Sequence, residues 1–273
     1  MSSADGAAFA AKRARLLADL GELERVAVAF SGGVDSSVLL AAALRALGPA
    51  PAALADGRPP AFGWRGAAGV IADSPSLPRR ELAAAQALAA SIGVPLLVVR
   101  TDELDDPRYQ ANVGDRCYFC KSALFRAMRP WAEARGFRAL AFGEIVDDLR
   151  DDRPGARAAR EFGVVAPLSA AGVSKADVRA YARELGLSVA EKPASACLAS
   201  RLPVGTRVTP ERLARIEAAE ERLFALGLVQ LRVRDHGAHA RVEVGLESLA
   251  RARERESELS AALQALGFET VEV

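Results

Sequence analysis

The residues of this chain with the clearest chemical potential run Ser-Gly-Gly-Val-Asp-Ser-Ser over positions 31–37. Gly32 and Gly33 can adopt positive φ angles, which lets backbone N–H groups approach an anion closely. Asp35 can hold a magnesium ion or order the turn. Hydroxyl donors stand in the same stretch at Ser31, Ser36 and Ser37. Together these residue types predict a phosphate-binding turn, and the simpler alternative is a glycine turn that only caps a helix.

The segments on either side of the turn favour phosphate binding. Residues 26–30 form a short apolar run typical of a buried strand, and residues 38–44 have a composition typical of a helix. In a strand–turn–helix unit, the helix N-terminus adds unpaired N–H donors and about half a positive charge at the turn. A Walker loop would end in Gly-Lys-Ser or Gly-Lys-Thr, which is absent here, so the turn is of another type.

The three cysteines form the second set of residues that could do chemistry. Cys117 and Cys120 stand in a Cys-x-x-Cys motif, which we predict just ahead of a helix over about 120–135. Cys197 lies in the segment 192–201, close to a predicted domain junction.

Residue types alone leave four interpretations of these cysteines open. A Cys-x-x-Cys at a helix start has a lowered thiol pKa and can undergo redox cycling. A structural zinc site needs a fourth ligand, which His236 or His239 could supply. The thiols could instead pack as small apolar groups, or three thiolates could hold an iron–sulfur cluster with one iron open to an external sulfide.

The elements that must position these residues alternate between strands and helices. Short apolar runs predict four strands at 26–30, 69–72, 95–100 and 138–142, with helical patterns between them. This alternation indicates βαβ units and therefore a parallel sheet with right-handed crossovers. The predicted fold class is α/β, with a first domain over residues 1–200.

A second, smaller domain is predicted over residues 201–273. Thr209 is a typical helix cap followed by Pro210 at the first helical position, and this helix is expected to end near residue 226. Strands at 228–235 and 240–244, a helix at 249–266 and a closing strand at 268–273 complete the order α-β-β-α-β. That order predicts a small α+β domain.

Three connecting segments of the first 200 residues are predicted as loops. Residues 48–66 are rich in Pro, Gly and Ala, and residues 101–115 are polar. The third segment, 143–166, is predicted as an extended active-site loop because of its charged side chains: Asp147, Asp148, Asp151, Asp152, Arg153 and Arg157. A helix over 174–185, capped by Ser174, follows it.

Composition excludes several function classes. The chain has 273 residues, of which 51% are hydrophobic and 26% charged, as expected for a globular protein. The formal net charge of +1 provides no basic field for nucleic acid. No apolar run reaches the roughly 18 residues of a membrane span, and the first residues lack a signal-peptide pattern. An odd number of cysteines argues against a secreted disulfide framework, so the cytoplasm is the expected location.

The turn at 31–37 resembles the PP-loop of the ATP pyrophosphatase superfamily, and further stretches extend the resemblance to one family. The chain is similar to the ATP-dependent sacrificial sulfur transferases (LarE) of nickel-pincer nucleotide synthesis. The similar stretches are 31–37, 72–79, 112–121, 148–155, 164–168, 192–201, 232–237 and 240–243. The resemblance implies a Rossmann-like, adenine nucleotide alpha hydrolase-like PP-loop domain.

This resemblance also implies a reaction. PP-loop enzymes split ATP between the α and β phosphates, adenylate a substrate and release pyrophosphate. In the LarE family the substrate is pyridinium-3,5-biscarboxylic acid mononucleotide, and one of its carboxylates becomes a thiocarboxylate. The three-cysteine pattern resembles members thought to hold a [4Fe-4S] cluster, which implies Cys117, Cys120 and Cys197 as its ligands. In the one-cysteine form of the family, Cys197 would instead give up its own sulfur.

Roles for individual residues follow from this resemblance. The turn at 31–37 would bind the pyrophosphate of ATP, and Asp35 would hold Mg²⁺. Arg201, Arg232 and Arg234 are candidate clamps for the substrate phosphate and second carboxylate, since guanidinium forks suit such anions. A solvated strand face is the alternative for Arg232 and Arg234. Glu220 could carry a proton, bind the substrate, or stand on the surface of its helix.

One departure from the family pattern lies after the fourth strand. The family usually has Gly-Thr-Asn-Ala-Asp-Asp there, whereas residues 143–148 are Gly-Glu-Ile-Val-Asp-Asp. A role for threonine or asparagine at this place is therefore not expected.

Two other functions stay open at this point. A tRNA thiolase or another adenylating PP-loop enzyme would share the turn, although the near-neutral charge counts against tRNA. A non-catalytic ATP-binding sensor belongs to a different class. The expected partners are a small nucleotide substrate and further copies of the chain in a homo-oligomer, without nucleic acid or membrane.

Overall fold

The computed structural model describes residues 3–54, 63–150, 153–193 and 195–273. Within them the chain forms two compact units. The first unit comprises Met1–Ser74, Arg79–Asp102 and Cys117–Ser195, and the second comprises Pro75–Pro78, Glu103–Arg116 and Ala196–Val273. The second unit thus includes two short early segments in addition to the C-terminal part. The sequence-based division into residues 1–200 and 201–273 stays a prediction.

A four-stranded sheet is the centre of the first unit. Its strands are β1 (Arg25–Ala29), β2 (Gly66–Asp73), β3 (Leu96–Arg100) and β4 (Ala139–Phe142). All neighbours pair in parallel, in the order β3-β2-β1-β4, so the predicted parallel α/β sheet is confirmed. The chain moves from β1 to one side for β2 and β3, and β4 then pairs on the other side. In sheets of this kind, ligands bind beyond the carboxyl ends of the strands at this reversal point, which here is the end of β1.

Helices surround the sheet of the first unit. They are α1 (Ser3–Leu23), α2 (Val34–Leu47), α3 (Arg79–Ile92), α5 (Arg116–Ala134), α6 (Pro154–Glu161), α7 (Pro167–Ala170) and α8 (Lys175–Glu184). The short helix α4 (Pro107–Ala111), between α3 and α5 in the chain, belongs to the second unit. Apolar residues of β1 and β2 pack with those of α5 in one core, which includes Ala27, Val70, Phe125 and Met128. This core fixes the ends of β1 and β4.

The second unit contains a three-stranded sheet. Its strands are β5 (Leu231–His236), β6 (His239–Val244) and β7 (Thr270–Glu272), in the order β5-β6-β7 with β6 and β7 parallel. Its helices are α9 (Pro210–Ala225), α10 (Leu246–Glu254) and α11 (Glu256–Gln264). The predicted cap is confirmed, because the Thr209 side chain accepts a hydrogen bond from the Arg212 N–H. Leu223, Val233, Leu259 and Phe268 form the centre of this core.

Several predicted boundaries are wrong. Helix α5 begins at Arg116, so the Cys-x-x-Cys lies in its first turn rather than ahead of it. The helix predicted over 249–266 is divided at Arg255, whose guanidinium donates to the Leu226 carbonyl and to Glu258. The loop at 101–115 contains a short 3₁₀ helix (Glu103–Asp105) and the five-residue α4.

The segment 143–166 is also more regular than predicted. It contains a 3₁₀ helix (Val146–Arg150) and α6, and Val165 forms a bridge with Ala141. Pro154 can start α6 because the first helical position needs no N–H, and three alanines of this helix are buried. Asp151 and Asp152 lie outside the described residues, as do 55–62 of the loop predicted at 48–66. None of the described helices combines the length and apolar character that crossing a membrane requires.

Candidate active site

In the turn after β1, the expected positive φ is found at Gly32 but not at Gly33. Gly32 has a φ of +70°, and a Cβ added there would lie 2.9 Å from the Cβ of Ala85. Gly33 is the residue that precedes α2, with an ordinary φ of −82°. The first N–H groups of α2 lack intrahelical acceptors, as at every helix start. The turn therefore presents free N–H donors and the positive end of a 14-residue helix.

The serines of the turn hold its shape. The Ser36 hydroxyl accepts from the Ser31 N–H at 3.2 Å and donates to the Gly33 carbonyl at 3.1 Å. The Ser37 hydroxyl also donates to the Gly33 carbonyl, at 2.8 Å. Ser36 and Ser37 are buried, whereas Ser31 is exposed. Ser31 is thus the hydroxyl of the three that faces solvent at the turn.

Asp35 is paired with Lys175, a residue that no local sequence pattern connects to the turn. The Lys175 Nζ lies 2.8 and 2.7 Å from the two carboxylate oxygens of Asp35. Lys175 is the first residue of α8, and its own N–H donates to the Asp147 carboxylate at 2.8 Å. Ser174 and Asp177 form a reciprocal cap on the same helix start. The ammonium group therefore extends from a fixed helix end to the turn.

Strand β4 ends beside the N-terminus of α2. A Cβ on Gly143 would lie 2.9 Å from the backbone nitrogen of Ser36, so the chain after β4 can pass α2 this closely only with glycine. The next residue, Glu144, is partly buried, and this burial raises the pKa of its carboxyl despite the nearby Arg160. The 3₁₀ helix that follows (Val146–Arg150) contains Asp147, whose carboxylate accepts the hydrogen bond from the Lys175 N–H.

The cysteine pair lies at the start of α5. Cys117 is exposed and Cys120 is half-buried, and a spacing of three residues puts both on one face of the first turn. Between them, the Tyr118 hydroxyl donates to Glu161 of α6, and Arg157 stacks on the Tyr118 ring at 4.5 Å. The hydrogen bond to Glu161 is the main cause of the raised pKa of Tyr118. Helix α6 thus fixes the turn that carries the two thiols.

The third cysteine lies in the second unit, where arginines bind the backbone around it. Cys197 precedes a 3₁₀ helix (Leu198–Arg201) and is half-buried. Arg201 donates to the carbonyls of Ala196 at 2.6 Å and Cys197 at 3.1 Å. Two further carbonyls accept from arginines of other segments: Ala199 from Arg116 at 2.9 Å, and Ser200 from Arg234 at 2.7 Å. Three guanidinium groups therefore hold the loop of Cys197.

Arg201 and Glu220 form a buried ion pair beneath this loop. The Arg201 Nε donates to the Glu220 Oε1 at 2.8 Å, and the side chains of both residues are only 6% exposed. The Val233 N–H of β5 donates to the same carboxylate oxygen at 3.1 Å. The alternative that Glu220 stands on the helix surface is therefore wrong. Whether Arg201 or Glu220 touches a substrate stays a prediction.

Arg232 and Arg234 lie on one face of β5, opposite the buried Val233. Arg234 donates to Glu243 of β6 at 2.9 Å, and Arg232 stands opposite Glu243 in the strand register. The hydrogen bond from Arg234 is the main cause of the lowered pKa of Glu243, and the positive charges of Arg241 and Arg232 contribute. This face carries guanidinium and carboxylate groups, and its substrate role stays a prediction.

No protein-family model matches the chain. Three curated relatives are similar to it over most of their lengths. An uncharacterised protein of Synechocystis is 42% identical over 84% of this chain and 80% of its own, and an uncharacterised protein of Methanocaldococcus jannaschii is 26% identical over 91% and 88%. The pyridinium-3,5-bisthiocarboxylic acid mononucleotide synthase of Lactiplantibacillus plantarum is 35% identical over 97% of this chain and 91% of its own length. The chain belongs to the LarE family.

Two metal sites are predicted for this LarE-family chain: an iron–sulfur cluster on the three cysteines and Mg²⁺ at Asp35. Within the described ranges, no three His, Cys, Asp or Glu side chains are grouped so that they could hold a metal ion. Cys117 and Cys120 belong to the first unit and Cys197 to the second. Thiols are the donor type that iron–sulfur clusters require, and all three cysteines are free, but a cluster held by the three together stays a prediction. The Asp35 carboxylate suits Mg²⁺ only if Lys175 leaves it.

Several residues of this LarE-type chain are not predicted by local sequence patterns, and the structure shows their contacts. Lys175 contacts Asp35 of the turn, and Arg116 contacts the Ala199 carbonyl in the Cys197 loop. Glu243 accepts a hydrogen bond from Arg234. Asp235 is fully buried between Arg212 and Arg215, at 3.2 and 2.6 Å. The alternation of β5 could have identified Asp235, because it falls on the same face as Leu231 and Val233.

Proposed function

We propose that this protein is an ATP-dependent sulfur transferase that acts on pyridinium-3,5-biscarboxylic acid mononucleotide. It would adenylate one carboxylate of this nucleotide and convert it to a thiocarboxylate, as a step in nickel-pincer nucleotide synthesis. The observation that carries the proposal is the similarity to the bisthiocarboxylic acid mononucleotide synthase along 97% of the chain. The turn after β1 supports it, because a phosphate site is needed for any adenylation by ATP.

Adenylation solves a chemical problem of the substrate. A carboxylate resists nucleophiles because of its negative charge and poor leaving group. Transfer of AMP to one carboxylate oxygen removes the charge and releases pyrophosphate. The N–H groups at the start of α2 would bind the departing pyrophosphate, and the exposed Ser31 hydroxyl would donate to it. Mg²⁺ bound at Asp35 would supply further stabilisation of the charge.

The sulfur step would take place at Cys197. The hydrogen bonds from three arginines to carbonyls 196, 197, 199 and 200 would hold the loop that carries the thiol in place. Cys117, Cys120 and Cys197 would hold a [4Fe-4S] cluster as its thiolate ligands, and the cluster would supply the sulfur as sulfide.

The proposal is tested by incubating the anaerobically prepared protein with ATP, Mg²⁺ and the biscarboxylic nucleotide. Pyrophosphate and AMP should form only when all components are present, and mass spectrometry should detect the thiocarboxylate. Cys197→Ser should still release pyrophosphate in a single turnover but should form no thiocarboxylate. Hydrolysis of ATP without this substrate, or sulfur transfer to tRNA in its place, would contradict the proposal.

A further inference from the structure

We infer that Asn112 is a positioning residue for the sulfur step. Its side-chain amide sets the path of the segment 196–206, which contains Cys197, in two ways. It binds the guanidinium of Arg116, which in turn binds the segment, and it bonds directly to carbonyls near the end of the segment. Because Cys197 has its role in the proposed function, this assignment rests on that function.

The Asn112 amide uses both its donor and its acceptor groups. The Nδ2 donates to the Pro203 carbonyl at 2.8 Å and to the Thr206 carbonyl at 3.1 Å. The Oδ1 accepts from a guanidinium nitrogen of Arg116, and the same nitrogen donates to the Ala199 carbonyl at 2.9 Å. One amide is thus connected to three carbonyls of the segment, one of them through Arg116.

The backbone of Asn112 is held as firmly as its side chain. The residue ends helix α4 in the left-handed conformation, with a φ of +54°, and is only 2% exposed. Its carbonyl accepts from the Gly205 N–H at 2.8 Å. Glycine, asparagine and aspartate are the residues that adopt this conformation routinely, and of these only asparagine offers two N–H donors and an acceptor. The position therefore uses asparagine for its backbone and for its amide.

Other side chains of the second unit hold the part of the segment around Cys197 itself. Arg201 and Arg234 donate to carbonyls 196, 197 and 200. Loss of the Asn112 amide should therefore leave the segment folded but allow Arg116 to reorient. A displacement of about 1 Å at a reacting group can slow a chemical step about 100-fold. The amide should thus matter far more for sulfur transfer than for adenylation.

A single turnover of the anaerobically prepared full chain separates these two steps. Pyrophosphate release reports adenylation, and the thiocarboxylate detected by mass spectrometry reports sulfur transfer. Asn112→Gly removes the amide but tolerates the left-handed backbone. It should slow thiocarboxylate formation about 10- to 100-fold. Pyrophosphate release should stay within about twofold of the wild type, the range of ordinary mutational context.

Arg116→Met tests whether Asn112 acts through the guanidinium. It should also slow thiocarboxylate formation, because the Ala199 carbonyl loses its donor. The two substitutions break one shared path, so the double variant Asn112→Gly/Arg116→Met should lose less than the product of the two single losses. Single losses that multiply would show that the two residues act independently and would overturn the inference.

Asp235→Asn is the matched control for a loss of stability. Asp235 is also buried in the second unit and accepts three hydrogen bonds, from Arg212 at 3.2 Å, Arg215 at 2.6 Å and the Gly237 N–H at 2.8 Å. This control should lower the melting temperature, but it should not change the ratio of thiocarboxylate to pyrophosphate. Asn112→Gly should lower that ratio at early times.

Two further results would overturn the inference, and they can be told apart. If the wild type forms thiocarboxylate and Asn112→Gly slows both readouts equally, or no more than Asp235→Asn does, the amide only supports the fold and the proposed function stands. If the wild type forms no thiocarboxylate, the proposed function fails and the role of Asn112 fails with it.

Discussion

The Arg201 guanidinium and the Glu220 carboxylate meet at 2.8 Å in the interior of the second unit. The same arginine donates to the carbonyls of Ala196 and Cys197, and the same glutamate accepts from the Val233 N–H. The pair therefore connects helix α9, strand β5 and the loop of Cys197. Its charges are compensated within the protein, which explains how two ionised side chains can be buried there.

Removal of one member of this pair should strongly destabilise the protein. Glu220→Ala leaves the Arg201 charge buried without its partner, and such changes cost about 3–5 kcal/mol of unfolding free energy. The double variant Arg201→Met/Glu220→Leu should lose less, because it leaves no uncompensated charge. Urea denaturation followed by circular dichroism measures both. A loss in Glu220→Ala no larger than that of the double variant would contradict this account.

The two glycines of the phosphate turn should differ in their tolerance of a methyl group. Gly32→Ala forces a Cβ into a positive-φ residue and to 2.9 Å from the Ala85 Cβ, so it should abolish nucleotide binding and cost at least about 1 kcal/mol of stability. Gly33 has an ordinary φ angle, and a Cβ added there would meet only the Ser31 Oγ, at 3.4 Å, so Gly33→Ala should be tolerated. Calorimetric titration with nucleotide should therefore show binding for Gly33→Ala and none for Gly32→Ala. Equal binding by the two variants would be inconsistent with the observed turn.

Anaerobic preparation should distinguish the interpretations of the cysteines. If Cys117, Cys120 and Cys197 hold a [4Fe-4S] cluster, the wild type should be brown and contain about four iron atoms and four sulfides per chain. Serine at any of the three positions should lower the iron content and the visible absorbance. Colourless wild-type protein with one zinc per chain would favour the structural zinc interpretation, and iron retained in all three variants would exclude these ligands.

The pH dependence of stability should include a contribution from Glu243. The hydrogen bond from Arg234 lowers the pKa of this carboxyl in the folded protein. Its contribution is therefore complete above the unfolded pKa of about 4.3 and is lost as the pH falls through the lower folded value. Because both side chains are partly exposed, Glu243→Gln should cost only up to about 1 kcal/mol at pH 7.

Denaturation of wild type and Glu243→Gln between pH 7 and pH 3 checks the sign. The difference in unfolding free energy should be constant near neutral pH and should decrease below about pH 4. A difference that grows on acidification would show that the Glu243 carboxylate is not stabilised by Arg234.

Local features of the fold were predictable from the sequence because their causes lie within a few residues. The four parallel strands follow from short apolar runs, and the caps at Thr209 and Ser174 follow from side chains that bond N–H groups three residues on. The conformation of the phosphate turn follows from Gly32, since few other residues adopt its φ. The charged residues around α6 are typical of a loop, so the sequence does not predict this helix, although its alanines are buried.

What the sequence by itself determined was thus the α/β class, the glycine turn between β1 and α2 and, through a pattern of motifs, the family. Tertiary structure alone decided the partners of the charged groups. Lys175 meets Asp35 across 140 residues and Arg116 meets the Ala199 carbonyl across 83, and no local pattern encodes either contact. The physical reason is that a charged side chain is stable at a buried or crowded place only if distant segments bring it a counter-charge, and their packing selects which one.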